Sequence, residues 1–225
     1  MILITGASRG IGKYLFDKFF NNEFVYGTYN TTLPETDKAD YYKKMDISNC
    51  KDVDDWVYSI ASREEKTLIN CAGINYNSMA HKADVNEWAK VIEVNLIGAF
   101  NVIRAVLPMM RNMGFGRIIN LSSVVSKMGV PGTSAYAASK AGLSGLIKSI
   151  AMENAKYNIT INNIRLGYFD IGMISDVPEK MLDTIKNNIP SRSLGDPCDI
   201  FDLINSIRKM KYMTGADIDL NGGIL

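Results

Sequence analysis

Five short apolar runs alternate along this chain with longer segments of helical spacing, and that alternation predicts an α/β fold with a parallel sheet covered by helices on both faces. Residues 1–4, 24–28, 67–69, 117–121 and 160–164 are rich in β-branched residues and lack in/out alternation, so they read as strands buried on both sides. Between them, residues 13–20, 85–113 and 136–157 carry apolar residues at helical spacing. Residues 30–42 contain Pro34 and are too few for a full helix with its connections, so that crossover is expected to be an abbreviated loop. Residues 166–192 are less regular, and mobility is expected there.

The 225 residues, 47% of them hydrophobic, bury one sizeable core, and no repeat or linker divides them. One domain spanning 1–225 follows. Lysine plus arginine number 25 against 24 acidic residues, which removes any general electrostatic reason to expect nucleic acid or an anionic membrane. Cys50, Cys71 and Cys198 are widely spaced and no histidine cluster accompanies them, so neither a disulfide framework nor a metal site is expected. The start of the chain has no signal-like segment, and no apolar stretch is expected to be long enough to span a bilayer. These features predict a soluble cytoplasmic protein.

The first strand runs straight into Thr5-Gly6-Ala7-Ser8-Arg9-Gly10-Ile11-Gly12. Glycines at a strand-to-helix turn permit a tight bend and close backbone approach, and the helix start offers free N–H groups to an anion. Three glycines can equally make an ordinary turn; their place after the first strand favours a pyrophosphate cradle and a doubly wound, Rossmann-type sheet. After the second strand the chain reads Tyr29-Asn30-Thr31-Thr32, without the carboxylate that commonly holds the adenosine ribose in NAD-preferring folds. NADP(H) is therefore favoured over NAD(H), with Arg9 available to pair with a 2′-phosphate. The other reading makes Arg9 a solvated loop residue and selectivity loose.

Tyr136-Ala137-Ala138-Ser139-Lys140 places a phenol and an ammonium one helical turn apart on one face. A tyrosine with a pKa of ~10 is a poor proton shuttle near neutrality unless a fixed cation stabilises its phenolate. Lys140 can be that cation, and the pair is expected to draw Tyr136 downward. Ser122 and Ser123 are expected just past the strand at 117–121, where parallel sheets gather their ligand sites, and Ser123 is the choice to hold a substrate oxygen. An isolated Tyr-x-x-x-Lys would be a chance spacing; the glycine loop gives it weight.

Together these residues resemble the short-chain dehydrogenase/reductase family, in the family's order and nearly end to end: the glycine loop, Asp46-Ile47, Asn70-Cys71-Ala72-Gly73, Asn95, Ser123, Tyr136 with Lys140, and Tyr212-Met213-Thr214-Gly215 leading to Asn221-Gly222-Gly223. The resemblance implies hydride exchange with a carbonyl carbon. Tyr136 would then be the acid/base, Ser123 the oxygen holder, Asn95 the support of a water chain behind Lys140, and Lys140 also a ligand of the nicotinamide ribose. It implies cofactor contacts from Gly6, Ser8, Arg9, Gly10, Ile11, Gly12, Asn30, Asp46, Ile47, Asn70, Cys71, Ala72, Gly73, Tyr136, Lys140 and the backbone of Phe169. Asp46 and Ile47 would end a third strand, and a further strand would close the chain. A homotetramer or homodimer is also implied, through the long helices and that C-terminal strand.

The likeness is nearest to 3-oxoacyl-acyl-carrier-protein reductases, which implies an acyl-thioester carbonyl substrate. Two departures stand out. Leu166-Gly167-Tyr168-Phe169-Asp170-Ile171 replaces the usual Pro-Gly and threonine, and Ile171 has no hydroxyl for the nicotinamide amide. Gly114 and Tyr157 occupy positions where those reductases commonly present basic residues, with Arg111 and Lys156 nearby. A sugar-derived or other specialised ketone therefore stays open as substrate. A non-catalytic dinucleotide-binding sensor or scaffold is the reading from another class, opposed by the complete set Asn95, Ser123, Tyr136 and Lys140. His81 is read as a surface residue, and Trp56, Trp88, Met109, Met110 and Met113 as packing.

Overall fold

The computed structural model describes residues 1–34, 37–60, 65–172, 174 and 177–225. Strands β1 (Ile2–Thr5), β2 (Val25–Tyr29), β3 (Tyr42–Lys44), β4 (Thr67–Asn70), β5 (Gly116–Ser123), β6 (Ile159–Leu166) and β7 (Asp217–Leu220) form one sheet in the order β3-β2-β1-β4-β5-β6-β7, every pair parallel. The chain winds outward from β1 to β3, returns to β4 beside β1, and then winds the other way. The crevice beyond the C-terminal ends of β1 and β4 is the switch point where such sheets bind ligands. This is the Rossmann-type, doubly wound α/β domain expected.

Two apolar clusters sandwich the sheet. On one face Leu3, Leu68, Ile118 and Ile161 meet α2 (Cys50–Ser59), α4 (Ala99–Met113) and α5 (Ser134–Asn154) through Trp56, Val102, Val106 and Ile147. On the other Ile4, Ile69, Ile119 and Ile164 meet α1 (Gly10–Phe20) and α7 (Pro197–Lys209) through Leu15, Phe16, Ile200 and Ile204. Alternate residues of each strand thus serve opposite layers, which is why the strands read as continuous apolar runs.

β3 and β7 did not show in the apolar pattern, because Tyr-Lys-Lys and Asp-Ile-Asp-Leu at the two sheet edges need little burial. β3 stops at Lys44, so Asp46 and Ile47 lie beyond the strand and not at its end. β5 runs two residues farther than its apolar run, since Ser122 and Ser123 pair with Arg165 and Leu166 of β6; the serines belong to the strand. Residues 30–42 hold one short 3₁₀ turn, Ala39–Tyr41, as the abbreviated crossover predicts, with 35–36 outside the described residues. Within 166–192, α6 spans Glu179–Asn188, and residues 173, 175 and 176 lie outside the described set.

The segment 85–113 is one continuous helix: α3 (Val85–Ile92), a π-helical stretch Glu93–Gly98, and α4. At 29 residues with a mean hydropathy of 1.5 in its most apolar window, it is long and apolar enough to cross a bilayer, contrary to the sequence expectation. Its apolar character has a use in the core, where Val91, Val102, Ile103, Val106 and Met110 are almost fully buried.

Candidate active site

The glycine loop closes on itself by backbone contact. Gly6 and Gly10 have φ of +66° and +54°, and a Cβ on Gly12 would stand 2.1 Å from the Gly6 carbonyl oxygen. The Gly6 amide donates to Thr28 Oγ1 at 3.4 Å and that of Ala7 to the Thr28 carbonyl at 2.8 Å, tying the loop to β2. Side chains cap α2, α3 and α7 at Asn49, Asp84 and Asp196, whereas no side chain caps α1 and no acid lies in its first turn. Uncapped N–H groups at Gly10, Ile11 and Gly12, with Ser8 and exposed Arg9 before them, fit a pyrophosphate.

The adenosine corner differs from its sequence reading. No acid lies at Asn30-Thr31-Thr32 directly after β2, but the fold brings one: Asn30 donates from Nδ2 to Asp46 Oδ2 at 3.2 Å. Burial opposes ionisation of Asp46, and hydrogen bonds from the Ser48 amide, the Ser48 hydroxyl and Asn30 outweigh it, holding the carboxyl below its ordinary range. The corner is therefore not free of negative charge. Exposed Lys44, the register partner of Tyr29, adds a cation that the sequence reading passed over. Ile47 is buried beneath Gly98, where a Cβ would clash at 2.7 Å, so only its backbone can reach a cofactor.

Residues 70–73 leave β4 against this loop. Asn70 is buried and bonded within the sheet, and a Cβ on Gly6 would lie 2.7 Å from Ala72 Cα. Burial pushes the Cys71 thiol up to about 12 against the pull of the Lys140 charge, so it stays protonated and unreactive. A Cβ on Gly73 would touch Asn95 Oδ1 at 3.2 Å and Lys140 Nζ at 3.8 Å, so this turn backs directly onto the proton-transfer groups.

Asn95 sits in the π-helical stretch, whose wider turn is common at functional positions. Its Nδ2 donates to the Ile74 carbonyl at 2.9 Å and to Ser139 Oγ at 3.2 Å, and its Oδ1 accepts from the Ile74 amide at 2.8 Å. Ser139 donates in turn to the Tyr136 carbonyl at 2.8 Å. Asn95 thus clamps the chain after Gly73 to the helix carrying Tyr136, with its amide donors spent on protein partners. Ser139 is a supporting residue that the sequence reading quoted without a role.

The two serines part company. Ser122 is buried and donates to the Lys140 carbonyl at 3.3 Å, while Ser123 is partly exposed, its Oγ accepting the Val125 amide at 3.4 Å, and acts on the Tyr136 phenol electrostatically. Lys140 is buried, donates to the Leu121 carbonyl at 2.7 Å, and keeps its Nζ 5.6 Å from the centre of the Tyr136 ring. Burial lowers the Lys140 ammonium to about 8 and raises the Tyr136 phenol to about 12, Ser123 opposing the latter. The expected lowering of Tyr136 is absent, because burial dominates and the Lys140 ammonium is turned towards the Leu121 carbonyl.

Phe169 is a packing residue in its side chain: the ring is buried against Gly195, and its carbonyl accepts from the Ile171 amide at 2.7 Å. Ile171 packs into the adjoining core, and Gly172 lies against Gly10. His81 is exposed in a 3₁₀ turn. Arg111 and Lys156 both lie over the Tyr157 ring, at 4.3 and 5.2 Å, so two cations gather where glycine and tyrosine interrupt the basic pattern.

The sequence profile described as short chain dehydrogenase matches residues 1–182. The chain is 32% identical to a 3-oxoacyl-[acyl-carrier-protein] reductase of Staphylococcus epidermidis, over 99% of this chain and 97% of that one. It is 34% identical to acetoacetyl-CoA reductases of Rhizobium meliloti and Shinella zoogloeoides, in each case over 98% of this chain and 96% of the relative. A family profile over residues 1–182 and relatives above 30% identity along nearly the whole chain, on a doubly wound parallel sheet, place this chain in the short chain dehydrogenase family, as an oxidoreductase.

Proposed function

We propose that residues 1–225 form a single dinucleotide-binding and catalytic domain that reduces the ketone of an acyl thioester to a secondary alcohol, using NADPH in preference to NADH. The observation that carries this reading is buried Lys140, bonded to the Leu121 carbonyl and 5.6 Å from the centre of the Tyr136 ring, at the C-terminal edge of the sheet where Ser123 ends β5 and α1 starts uncapped. A bound nicotinamide supplies the hydride.

The protein's part is proton handling and placement. Ser123 and Tyr136 hold the carbonyl oxygen, and Tyr136 donates its phenolic proton to that oxygen as negative charge develops there. A phenol raised to about 12 rests protonated, which suits reduction, and Lys140 at about 8 is still mostly charged near neutrality, ready to steady the phenolate left behind. Asn95 and Ser139 keep the Tyr136 helix registered on the Gly73 turn.

The names of the relatives support the thioester class, and Arg111 with Lys156 supports an acidic carrier on that face. Arg9 and Lys44 support NADPH. Exposed Ile97, Phe100 and Met152 on the long helices support a homotetramer or homodimer, which a monomeric mass in solution would exclude. We place the enzyme in the cytoplasm. The deciding experiment mixes purified protein with an acetoacetyl thioester and NADPH or NADH and follows reduced nicotinamide. Consumption of NADPH supports the proposal; binding without consumption sends the substrate search to sugar-derived and other ketones; a clear NADH preference removes the cofactor assignment.

A further inference from the structure

A row of polar side chains crosses the inside of the sheet. Thr5, Asn70, Asn120, Asn163 and Asp217 are successive register partners on β1, β4, β5, β6 and β7. They share the face that α4 and α5 cover, two residues after Leu3, Leu68, Ile118 and Ile161 on the first four strands. Thr5, Asn120 and Asn163 are at most 1% exposed and Asn70 5%. Thr5 Oγ1 donates to Asn70 Oδ1 at 3.3 Å, Asn70 Nδ2 to Asn120 Oδ1 at 2.9 Å, Asn120 Nδ2 to Asn163 Oδ1 at 3.0 Å and Asn163 Nδ2 to Asp217 Oδ1 at 2.8 Å. Every donor points towards β7.

That common direction has a cause. A primary amide can face a neighbour with either its oxygen or its nitrogen, so three asparagines alone would leave the polarity undecided. A carboxylate only accepts. Asp217 at the β7 end turns the Asn163 nitrogen towards itself; the Asn163 oxygen then faces β5 and requires the Asn120 nitrogen, and the same demand passes to Asn70. Opposite polarity would set an amide oxygen against the carboxylate in a buried row, where an unmade hydrogen bond is costly. At the far end, Thr5 spends its proton on Asn70, which leaves its oxygen to accept the Ala72 amide at 3.2 Å. Ala72 is the residue on which Gly6 closes.

We infer that Asp217 is a positioning residue for the dinucleotide cradle: its acceptor oxygen sets the polarity of the asparagine row and so holds the Thr5 hydroxyl and Ala72, four strand spacings or roughly 19 Å away. Ser144 of α5 also donates to Asp217 Oδ1, at 2.9 Å, but stands outside the row. The consequence for cofactor rests on the proposed reading of residues 6–12 and 70–73 as its seat. The polarity of the row does not.

Neutron diffraction from perdeuterated wild-type crystals locates the amide deuterons directly. Deuterons on the β7 side of Asn70, Asn120 and Asn163 are expected, and any of them reversed overturns the inference. In Asp217→Ala the row is expected to lose its single polarity and the dissociation constant for NADPH to rise about fivefold. Asp217→Asn, whose amide can turn either atom to Asn163 and so no longer fixes the polarity, is expected to weaken NADPH in the same direction, whereas Ser144→Ala, which spares the row, is expected within about twofold of wild type. Unchanged NADPH affinity in folded Asp217→Ala overturns the positioning role. If the wild type binds no NADPH, the proposed function fails separately, and the deuteron positions still decide the row.

Discussion

The Lys140 ammonium bonds the Leu121 carbonyl at 2.7 Å and lies 5.6 Å from the centre of the Tyr136 ring. The lysine is therefore anchored to the end of β5 beside the phenol, with Ser123 at the end of the same strand. The proposed proton transfer gives Tyr136 and Lys140 separate parts, and each can be tested alone.

Replacing Tyr136 by Phe removes the hydroxyl proposed to protonate the substrate oxygen. Turnover is expected to fall on the order of a hundredfold or more while the cofactor still binds. Steady-state rates alongside fluorescence titration with NADPH check both halves, and unchanged turnover removes Tyr136 from the mechanism.

Lys140 carries a linked pH dependence. Its folded pKa, about 8, lies below the 10.5 of a free lysine, so between these values the unfolded chain binds more protons. The cost of charging a buried ammonium is present in full below pH 8, and stability rises as pH climbs through the window. Between pH 8 and 9.5 the wild type is expected to gain about 2 kcal/mol relative to Lys140→Met in urea unfolding. Tyr136 acts in the opposite sense only above its ordinary value, so the comparison stops short of it. No relative gain would mean that the lysine is not charged at the cost burial implies.

Arg9 is exposed at the start of α1 with no side-chain role in capping it. Arg9→Ala is expected to weaken NADPH about three- to tenfold and NADH little, since one exposed charge-assisted contact is lost. Equal losses for the two cofactors in calorimetry would make Arg9 a general loop residue.

Gly12→Ala asks for a Cβ 2.1 Å from a backbone oxygen, and no flexible side chain can yield there. The loop must open, and a loss of about 2 kcal/mol or more of stability together with cofactor affinity is expected. Wild-type melting and binding in this variant would show that the turn is looser than its geometry implies.

Much of this was legible in residue order. The loop at 5–12, the Tyr136–Lys140 spacing and the central strands are local patterns, readable because backbone conformation and side-chain period are set within a few residues. Edge strands β3 and β7 were not, since they bury little and carry no apolar run. The sequence carried no sign that Ser122 would bond the Lys140 carbonyl and leave Ser123 the more exposed of the two serines.

By itself the sequence determined the order of strands and helices, the glycines that only a tight turn accommodates, and the phenol and ammonium on one helical face. Tertiary structure alone decided that Asp46, beyond β3, would meet Asn30, beyond β2, that burial would raise Tyr136 where a helical-spacing argument lowers it, and that three separate asparagines would line up towards Asp217. Those outcomes depend on which strands become neighbours and on how much water the packed layers exclude. Both are properties of the assembled sheet, and neither is carried by any segment alone.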